Sequence, residues 1–141
     1  MSMLQIILAS HGGLSAGMKD TAQLILGELP NVYAVATTRD ETESILTATQ
    51  RLLDGFAPQD TVYLLTDVLG GSVNNELLTL LPRDPRLHLI CGMNACLVLT
   101  LASCDEAPTE AELQQIMADA RQQIVDCADL LRQAAQEEDD L

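Results

Sequence analysis

The chain has 141 residues, of which 48% are hydrophobic, enough to bury the core of one globular domain without metal ions or disulfides. Its 21 acidic and 7 basic residues give a formal net charge of −14, which argues against binding to nucleic acid or to an anionic membrane surface. The four cysteines form no C-x-x-C pair and no zinc-ligand spacing with histidine, so neither a redox motif nor a metal site is predicted.

The ends of the chain indicate location and domain organisation. The N-terminus enters an apolar segment without the basic flank of a secretory signal, and the longest apolar stretch, 87–102, is too short and too interrupted to cross a bilayer. Residues 105–141 hold 11 acidic and two basic residues. We therefore expect a cytoplasmic protein without direct membrane insertion, with one domain over 1–136 and an acidic, frayed C-terminus over 137–141.

Four short apolar segments are nearly continuous, as in strands that are covered on both faces. They are residues 4–10, 32–37, 62–66 and 87–91. The segments between them have helical periodicity: 14–26 ends at Gly27, 41–53 ends at Gly55 and 72–81 ends at Pro82. This alternation predicts an α/β fold, a three-layer α/β/α sandwich with a doubly wound, mainly parallel sheet of four strands, with a fifth left open, and helices on both faces.

Capping signals and one apolar stripe refine the helix predictions. Asp40 precedes Glu43 by three residues and Thr109 precedes Glu112 by three, which is the spacing of a reciprocal N-terminal cap. After Thr109 a single long amphipathic helix is predicted, which either packs on the sheet or forms a subunit interface. Its stripe consists of Leu113, Ile116, Met117, Ala120, Ile124, Cys127, Ala128 and Leu131.

The residues with chemical potential follow strands one and three. His11 ends the first strand, and the third strand is followed by Asp67 and then by Gly71 and Ser72, which open a helix. Ligands of doubly wound folds lie at the carboxyl ends of the strands, and strands one and three are neighbours in most such sheets. Asp67 could then accept a hydrogen bond from one imidazole nitrogen of His11 and leave the other as an exposed nucleophile.

This combination suits phosphoryl transfer, which requires positioning and charge stabilisation more than covalent machinery. The imidazole would attack phosphorus, Asp67 would stabilise the charge that develops on the ring, and the amides of Gly71 and Ser72 would bind the phosphate. No metal or other cofactor is called for. Of the remaining polar residues, His88 is interpreted as structural, and Asn94 as a helix cap that could alternatively line the site.

Three separated motifs resemble the IIA component of the mannose-type sugar phosphotransferase system (mannose, fructose and sorbose). They are Ser10-His11-Gly12, the segment from Asp67 through Gly70-Gly71-Ser72 to Asn75, and Cys91-Gly92-Met93-Asn94. The likeness runs from about residue 3 to about residue 130. Where familiar members have an aromatic residue and a proline beside the Gly-Gly-Ser, this chain has Leu69 and Val73.

The resemblance implies a phosphotransferase that acts through a phosphohistidine. The carrier protein HPr would phosphorylate Nε2 of His11, and a IIB component would receive the phosphoryl group for sugar uptake, with the IIC and IID membrane components involved indirectly. Asp67 would match the family's aspartate, and Gly71 and Ser72 its phosphate-binding helix start. A homodimer is implied as well, although no final strand for exchange is evident in this C-terminus.

Three other functions stay open on the sequence. One is the phosphotransfer subunit of a dihydroxyacetone kinase, and another is a regulatory module that is switched by phosphorylation of His11. A flavodoxin-like cofactor binder is the third, but 2% aromatic residues offer little to stack on a flavin, and no dinucleotide or Walker motif is present.

Overall fold

A four-stranded parallel sheet forms the centre of the protein in a computed structural model that describes residues 2–40 and 42–140. The strands are β1 (Leu4–His11), β2 (Val32–Thr37), β3 (Thr61–Thr66) and β4 (Leu87–Cys91), in the order β2-β1-β3-β4. The predicted parallel sheet is confirmed, as is the adjacency of strands one and three. Within the described ranges the sheet has no fifth strand. The strand order reverses between β1 and β3, so a ligand crevice is expected at their carboxyl ends.

Helices cover both faces of the sheet, which confirms the three-layer architecture. They are α1 (Leu14–Leu26), α2 (Ile45–Asp54), α3 (Ser72–Leu78), α4 (Ala95–Ala102), α5 (Glu110–Arg121) and α6 (Cys127–Asp139). Successive side chains of a strand point to opposite faces. Accordingly Ile6 and Leu8 pack in one core with α1, α4 and α5, whereas Ile7 and Ala9 pack in the other with α2 and α3.

The predicted second helix starts later than expected. Ser44 is its N-cap, because its hydroxyl accepts the backbone N–H of Thr47, and the helix begins at Ile45. The predicted cap by Asp40 and Glu43 is therefore wrong, and Glu43 instead forms an ion pair with Arg51. Ser44 directly precedes Ile45, the first buried residue of α2, so its hydroxyl lies within reach of the N-terminal amides. Residue 41, where the prediction started, lies outside the described residues.

The third helix is shorter than predicted. It ends at Leu78, and a 3₁₀ turn over Leu81–Arg83 follows instead of a continuation to residue 81. The Thr79 hydroxyl donates to the Glu76 carbonyl at the helix end. Pro82 lies at the start of this 3₁₀ turn, where its missing N–H costs no helical hydrogen bond.

The predicted long C-terminal helix is two helices. The capping box of Thr109 and Glu112 is confirmed at the start of α5, but α5 ends at Arg121. Asp126 then caps α6 by accepting the N–H of Ala128. A second capping residue inside the periodic segment starts a new helix, which the periodicity alone did not reveal.

Only the first half of the predicted stripe packs on the core. Leu113 and Ala120 of α5 are buried, whereas α6 buries none of its residues and Leu131 is 73% exposed. Of the two predicted alternatives, packing on the sheet therefore holds only for the part of the stripe in α5, and a subunit interface for the rest stays a prediction. Three residues of the acidic C-terminal segment, 137–139, lie in α6, while residue 141 lies outside the described residues; fraying stays a prediction.

Two further interpretations are resolved. Asn94 caps α4, because its side-chain oxygen accepts the N–H of Leu97 at 2.8 Å and its amide group donates to the Ala120 carbonyl at 2.9 Å. His88 stacks on Tyr63 with ring centroids 4.7 Å apart. Among the helices of the described segments, none has the length and apolar character needed to span a membrane.

Candidate functional site

The last residue of β1, His11, presents its imidazole at the carboxyl edge of the sheet, with 46% of the side chain exposed. The chain turns sharply after it, because Gly12 has a φ of +57° and its N–H donates to the Thr37 carbonyl of β2 at 2.8 Å. The buried Ser10 hydroxyl accepts the N–H of Ser15 at 2.8 Å. Hydrogen bonds thus tie the turn after His11 to β2 and to the first turn of α1.

Asp67 holds His11 through two hydrogen bonds to a single oxygen. The Nδ1 atom of the ring lies 2.9 Å from Oδ2, and the backbone N–H of His11 donates to the same oxygen at 2.8 Å. The Asp67 side chain is only 5% exposed. Burial by itself raises the pKa of the Asp67 carboxyl, but the hydrogen bonds from His11 and from its own loop lower that pKa below the usual range.

The protonation of the imidazole follows from this contact. A carboxylate can only accept, so Nδ1 carries the proton, and in the neutral ring Nε2 keeps its lone pair. The Ser72 hydroxyl lies 3.1 Å from Nε2 and donates to it in this tautomer. The two ring nitrogens are thus held by two different side chains, with Nδ1 at Asp67 and Nε2 at Ser72.

The loop between β3 and α3 is shaped to bring Ser72 to the ring. Gly70 has a φ of +78°, and its carbonyl accepts the side-chain amide of Asn75 at 3.2 Å. Gly71 donates its N–H to the Val68 carbonyl at 3.0 Å and is the N-cap position of α3. The turn therefore depends on a left-handed glycine and on Asn75.

Gly71 also lies against the imidazole. A Cβ added at this position would be 3.3 Å from Cε1 of His11 and 3.1 Å from the Val68 carbonyl oxygen, tighter than ordinary contacts. The absence of a side chain at residue 71 thus lets the helix start approach the ring closely.

Exposed apolar residues follow both strand ends. Leu14 is 48% exposed, Val68 52% and Leu69 82%. Leu14 opens α1 three residues after His11, and Val68 and Leu69 directly follow Asp67 in the loop before α3. Exposed apolar groups that lie together are typical of a surface that another protein contacts.

The structure brings together all four site residues that the sequence singled out, His11, Asp67, Gly71 and Ser72. The sequence reasoning missed a buried hydrogen bond between Thr66 and Asn74 behind the loop. The available signal was a threonine at the end of a buried strand and a second asparagine beside Asn75, but neither residue type in that position predicts a partner.

Other places in the molecule offer less to this chemistry. A cavity of about 530 Å³ opens at the opposite edge of the sheet, between Met3, Tyr33 and Asp60, and includes none of the site residues. In the part of the chain that the structure describes, no three histidine, cysteine or acidic side chains are grouped so that they could hold a metal ion.

Comparison with known proteins identifies relatives of this chain. The family model EIIA-man, described as the PTS system fructose IIA component, matches residues 5–119. The fructose-specific EIIA component of Bacillus subtilis is 25% identical over 105 residues, which cover 74% of this chain and 72% of that protein.

Solved structures agree with the sequence match. A protein from Klebsiella pneumoniae, described as a permease of a phosphoenolpyruvate-dependent sugar phosphotransferase system, superimposes with a TM-score of 0.80 at 29% identity, over 92% of this chain and 95% of its own. The mannose/sorbose-specific IIA subunit of Enterococcus faecalis gives a TM-score of 0.63 at 25% identity, over 86% and 89%.

Proposed function

Because this chain belongs to the EIIA-man family and is a phosphotransfer carrier of a sugar phosphotransferase system, we propose that His11 carries the phosphoryl group. HPr is the donor, and a IIB component is the acceptor. The observation that carries the proposal is the arrangement of the ring, in which Asp67 holds Nδ1 and leaves the lone pair of Nε2 at an exposed edge.

The transfer forms one bond and breaks one. The lone pair of Nε2 attacks the phosphorus of phospho-HPr, the P–N bond of the donor breaks, and its electron pair stays on the donor imidazole. Positive charge grows on the His11 ring during attack, and the Asp67 carboxylate beside Nδ1 stabilises it. In the second transfer the acceptor group of IIB attacks the phosphorus, the P–N bond at His11 breaks, and its electron pair returns to Nε2.

Ser72 and the start of α3 receive the phosphoryl oxygens in this proposal. The Ser72 hydroxyl, which donates to Nε2 in the free protein, turns to donate to an oxygen of the bound group. The Ser72 amide stands at the N-terminal end of α3, where backbone N–H groups and the helix dipole favour anions. The expected contribution of the Gly71 amide is not supported, because its N–H already donates to the Val68 carbonyl.

The surface on which a partner docks is proposed to include the exposed apolar residues near the two strand ends, Leu14, Val68 and Leu69. HPr and IIB must each cover Nε2 in turn, and apolar groups beside it would exclude water during transfer. The IIC and IID components would act downstream of IIB and would not contact His11.

A homodimer is proposed on the resemblance and on α6. This helix leaves the core, and with the segment before it exposes Ile124, Leu130 and Leu131 by 86%, 49% and 73%. A second copy of the chain would cover these apolar residues.

Sedimentation equilibrium of the full chain should give a dimer, and Leu131→Glu should shift it towards the monomer. A wild-type monomer at micromolar concentration would contradict the dimer without affecting the chemistry at His11.

Reconstitution tests the phosphoryl carrier. Incubation of the protein with phosphoenolpyruvate, enzyme I and HPr should add one acid-labile phosphate by mass, and His11→Ala should add none. His88→Ala is the matched control, because the second histidine stacks on Tyr63 at the start of β4 and should leave uptake unchanged. Phosphate uptake by His11→Ala would refute the proposal.

The role of Asp67 is tested in the same assay. Asp67→Asn keeps the size of the side chain but removes its negative charge, so phosphorylation should slow on the order of 100-fold. Measuring the initial rate at several HPr concentrations separates this loss from weaker docking. A rate equal to wild type would contradict the assigned role.

Adding candidate acceptors distinguishes the related functions. Transfer of the phosphate from His11 to a IIB component supports the sugar relay. Transfer only to the nucleotide-binding subunit of a dihydroxyacetone kinase would indicate that branch instead. Phosphate that stays on His11 with every acceptor would indicate a regulatory module.

A further inference from the structure

The hydrogen bond behind the site joins the last residue of β3 to α3. The Thr66 hydroxyl donates to the side-chain oxygen of Asn74 at 2.6 Å. Thr66 is fully buried and Asn74 is 4% exposed, so the contact is shielded from water. Neither residue forms a hydrogen bond with His11, whose side chain binds Asp67 and Ser72 in the described part of the chain.

The position of this bond in the chain gives it a mechanical role. Residues 67–73, which comprise the loop and the first two residues of α3, lie between its two ends, and this segment carries both side chains that hold the imidazole. Asp67 directly follows Thr66 and holds Nδ1, while Ser72 lies two residues before Asn74 and holds Nε2. The buried hydrogen bond between Thr66 and Asn74 joins the two ends of this segment. It therefore fixes the distance between the side chains of Asp67 and Ser72 that hold His11.

Thr66 is anchored independently of α3. Its carbonyl accepts the N–H groups of Gly92 and Met93 at 3.0 and 2.9 Å, and its backbone pairs with Ala9 of β1. The strand end is thus the fixed side of the contact. The start of α3 is the side that the bond positions.

We propose that Thr66 and Asn74 are a positioning pair that places the Ser72 hydroxyl on Nε2 of His11. This inference rests on the proposed function, because it assigns a role in phosphoryl transfer at the same site. Neither residue meets the phosphoryl group. Their effect passes through the first turn of α3.

The test is Thr66→Val, which keeps the shape of the side chain and removes the hydroxyl. The rate of phosphoryl uptake at saturating phospho-HPr should fall about tenfold, while the HPr concentration for half-maximal rate stays within about twofold, because the docking loops are unchanged. Thr66→Ser, which keeps the hydroxyl, should restore the rate. Thr49→Val is the matched control, since Thr49 of α2 is equally buried and its hydroxyl has no partner among the described residues.

A double variant separates positioning from simple stability. Thr66→Val leaves the Asn74 oxygen buried without a donor, which destabilises the fold, whereas Thr66→Val with Asn74→Leu leaves no unpaired group. The melting temperature should recover in the double variant, but the slow uptake should persist. If the rate recovers together with stability, the pair is structural only and the inference is overturned. The double variant also decides the matter if the single variant does not fold.

Nitrogen NMR of the unphosphorylated protein gives a readout that does not depend on transfer. In Thr66→Val the Nε2 signal of His11 should move towards that of a lone pair without a hydrogen bond, while Nδ1 stays protonated. Unchanged Nε2 would overturn the inference. If wild type takes up no phosphate, the proposed function fails, but the spectra still report whether the pair positions Ser72.

Discussion

His11 illustrates how ordinary interactions fix the orientation of a common side chain. One carboxylate oxygen binds both its Nδ1 and its backbone N–H, so the ring cannot turn without losing a charge-assisted hydrogen bond. Ser72 then donates to the remaining nitrogen. Orientation and tautomer are therefore set in the free protein, which would lower the cost of reaching the transition state of the proposed transfer.

Gly71→Ala should test the close approach of α3 to the ring. The added methyl group would lie 3.3 Å from Cε1 of His11 and 3.1 Å from a backbone oxygen that cannot easily move. We expect phosphoryl uptake to slow about tenfold, on the order expected for a displacement of the reacting groups by a fraction of an ångström. The rate is measured from the mass of the phosphorylated protein in uptake reactions that are stopped at successive times.

Gly13→Ala is the control for that experiment. Gly13 lies on the other site loop, but a Cβ there has open space around it and its φ is negative. Its uptake rate should match wild type. Equal slowing in both variants would mean that the loops tolerate no side chain for reasons other than contact with the ring.

Among the elements, α2 has an unusual C-terminal anchor. Arg86, in the connection to β4, donates to the carbonyls of Leu53, Phe56 and Ala57 and forms an ion pair with Asp84 at 2.7 Å. The Asp84 hydrogen bond raises the pKa of the guanidinium despite its partial burial. One cation thus satisfies carbonyls at the end of a helix and in the loop that leads to β3.

Arg86→Ala should lower the free energy of unfolding by about 3 kcal/mol, because it leaves the largely buried Asp84 carboxylate without its positive partner and several carbonyls without a donor. Urea denaturation measures the change. Arg83→Ala, at an exposed position of the preceding 3₁₀ turn, should change stability by less than about 0.5 kcal/mol. A loss below 1 kcal/mol for Arg86→Ala would contradict the anchoring role.

For the molecule as a whole, carboxylates with lowered pKa values make the stability of the fold depend on acid pH. Burial raises the pKa of Asp60, but N–H donors from Met3 and Ala57, the Gln5 amide and the nearby Arg86 charge bring it below the usual value. Asp67 and Asp84 have lowered pKa values as well. Such carboxylates stabilise the fold fully above their unfolded pKa of about 3.9, and the contribution is lost as the pH falls through the lower folded value.

Asp60→Asn should therefore be less stable than wild type at neutral pH, and the difference should shrink below about pH 4 as the wild-type carboxylate is protonated. Thermal unfolding followed by circular dichroism from about pH 7 to about pH 2 gives the comparison. Asp20→Asn, at an exposed position of α1, should follow wild type at every pH. A constant difference between Asp60→Asn and wild type across the range would show that Asp60 acts by shape rather than by charge.

The sequence by itself determined the layers, the strands and the four grouped site residues. Continuous apolar segments require cover on both faces, and parallel strands place their carboxyl ends at one edge, so His11 and Asp67 had to converge once β1 and β3 were adjacent. Helix ends were harder to predict from the sequence, because Asp40 was as plausible a cap as Ser44 and Asp126 lies inside a continuous apolar period.

Tertiary structure alone decided the rest. Periodicity marks an apolar face but not what covers it, so the exposure of α6 was invisible in the stripe that continues from α5. The same holds for the contact between Thr66 and Asn74, since a hydrogen bond between buried side chains depends on the distance between two elements and not on residue spacing. Local patterns specify elements, but the fit between elements sets how firmly His11 is held.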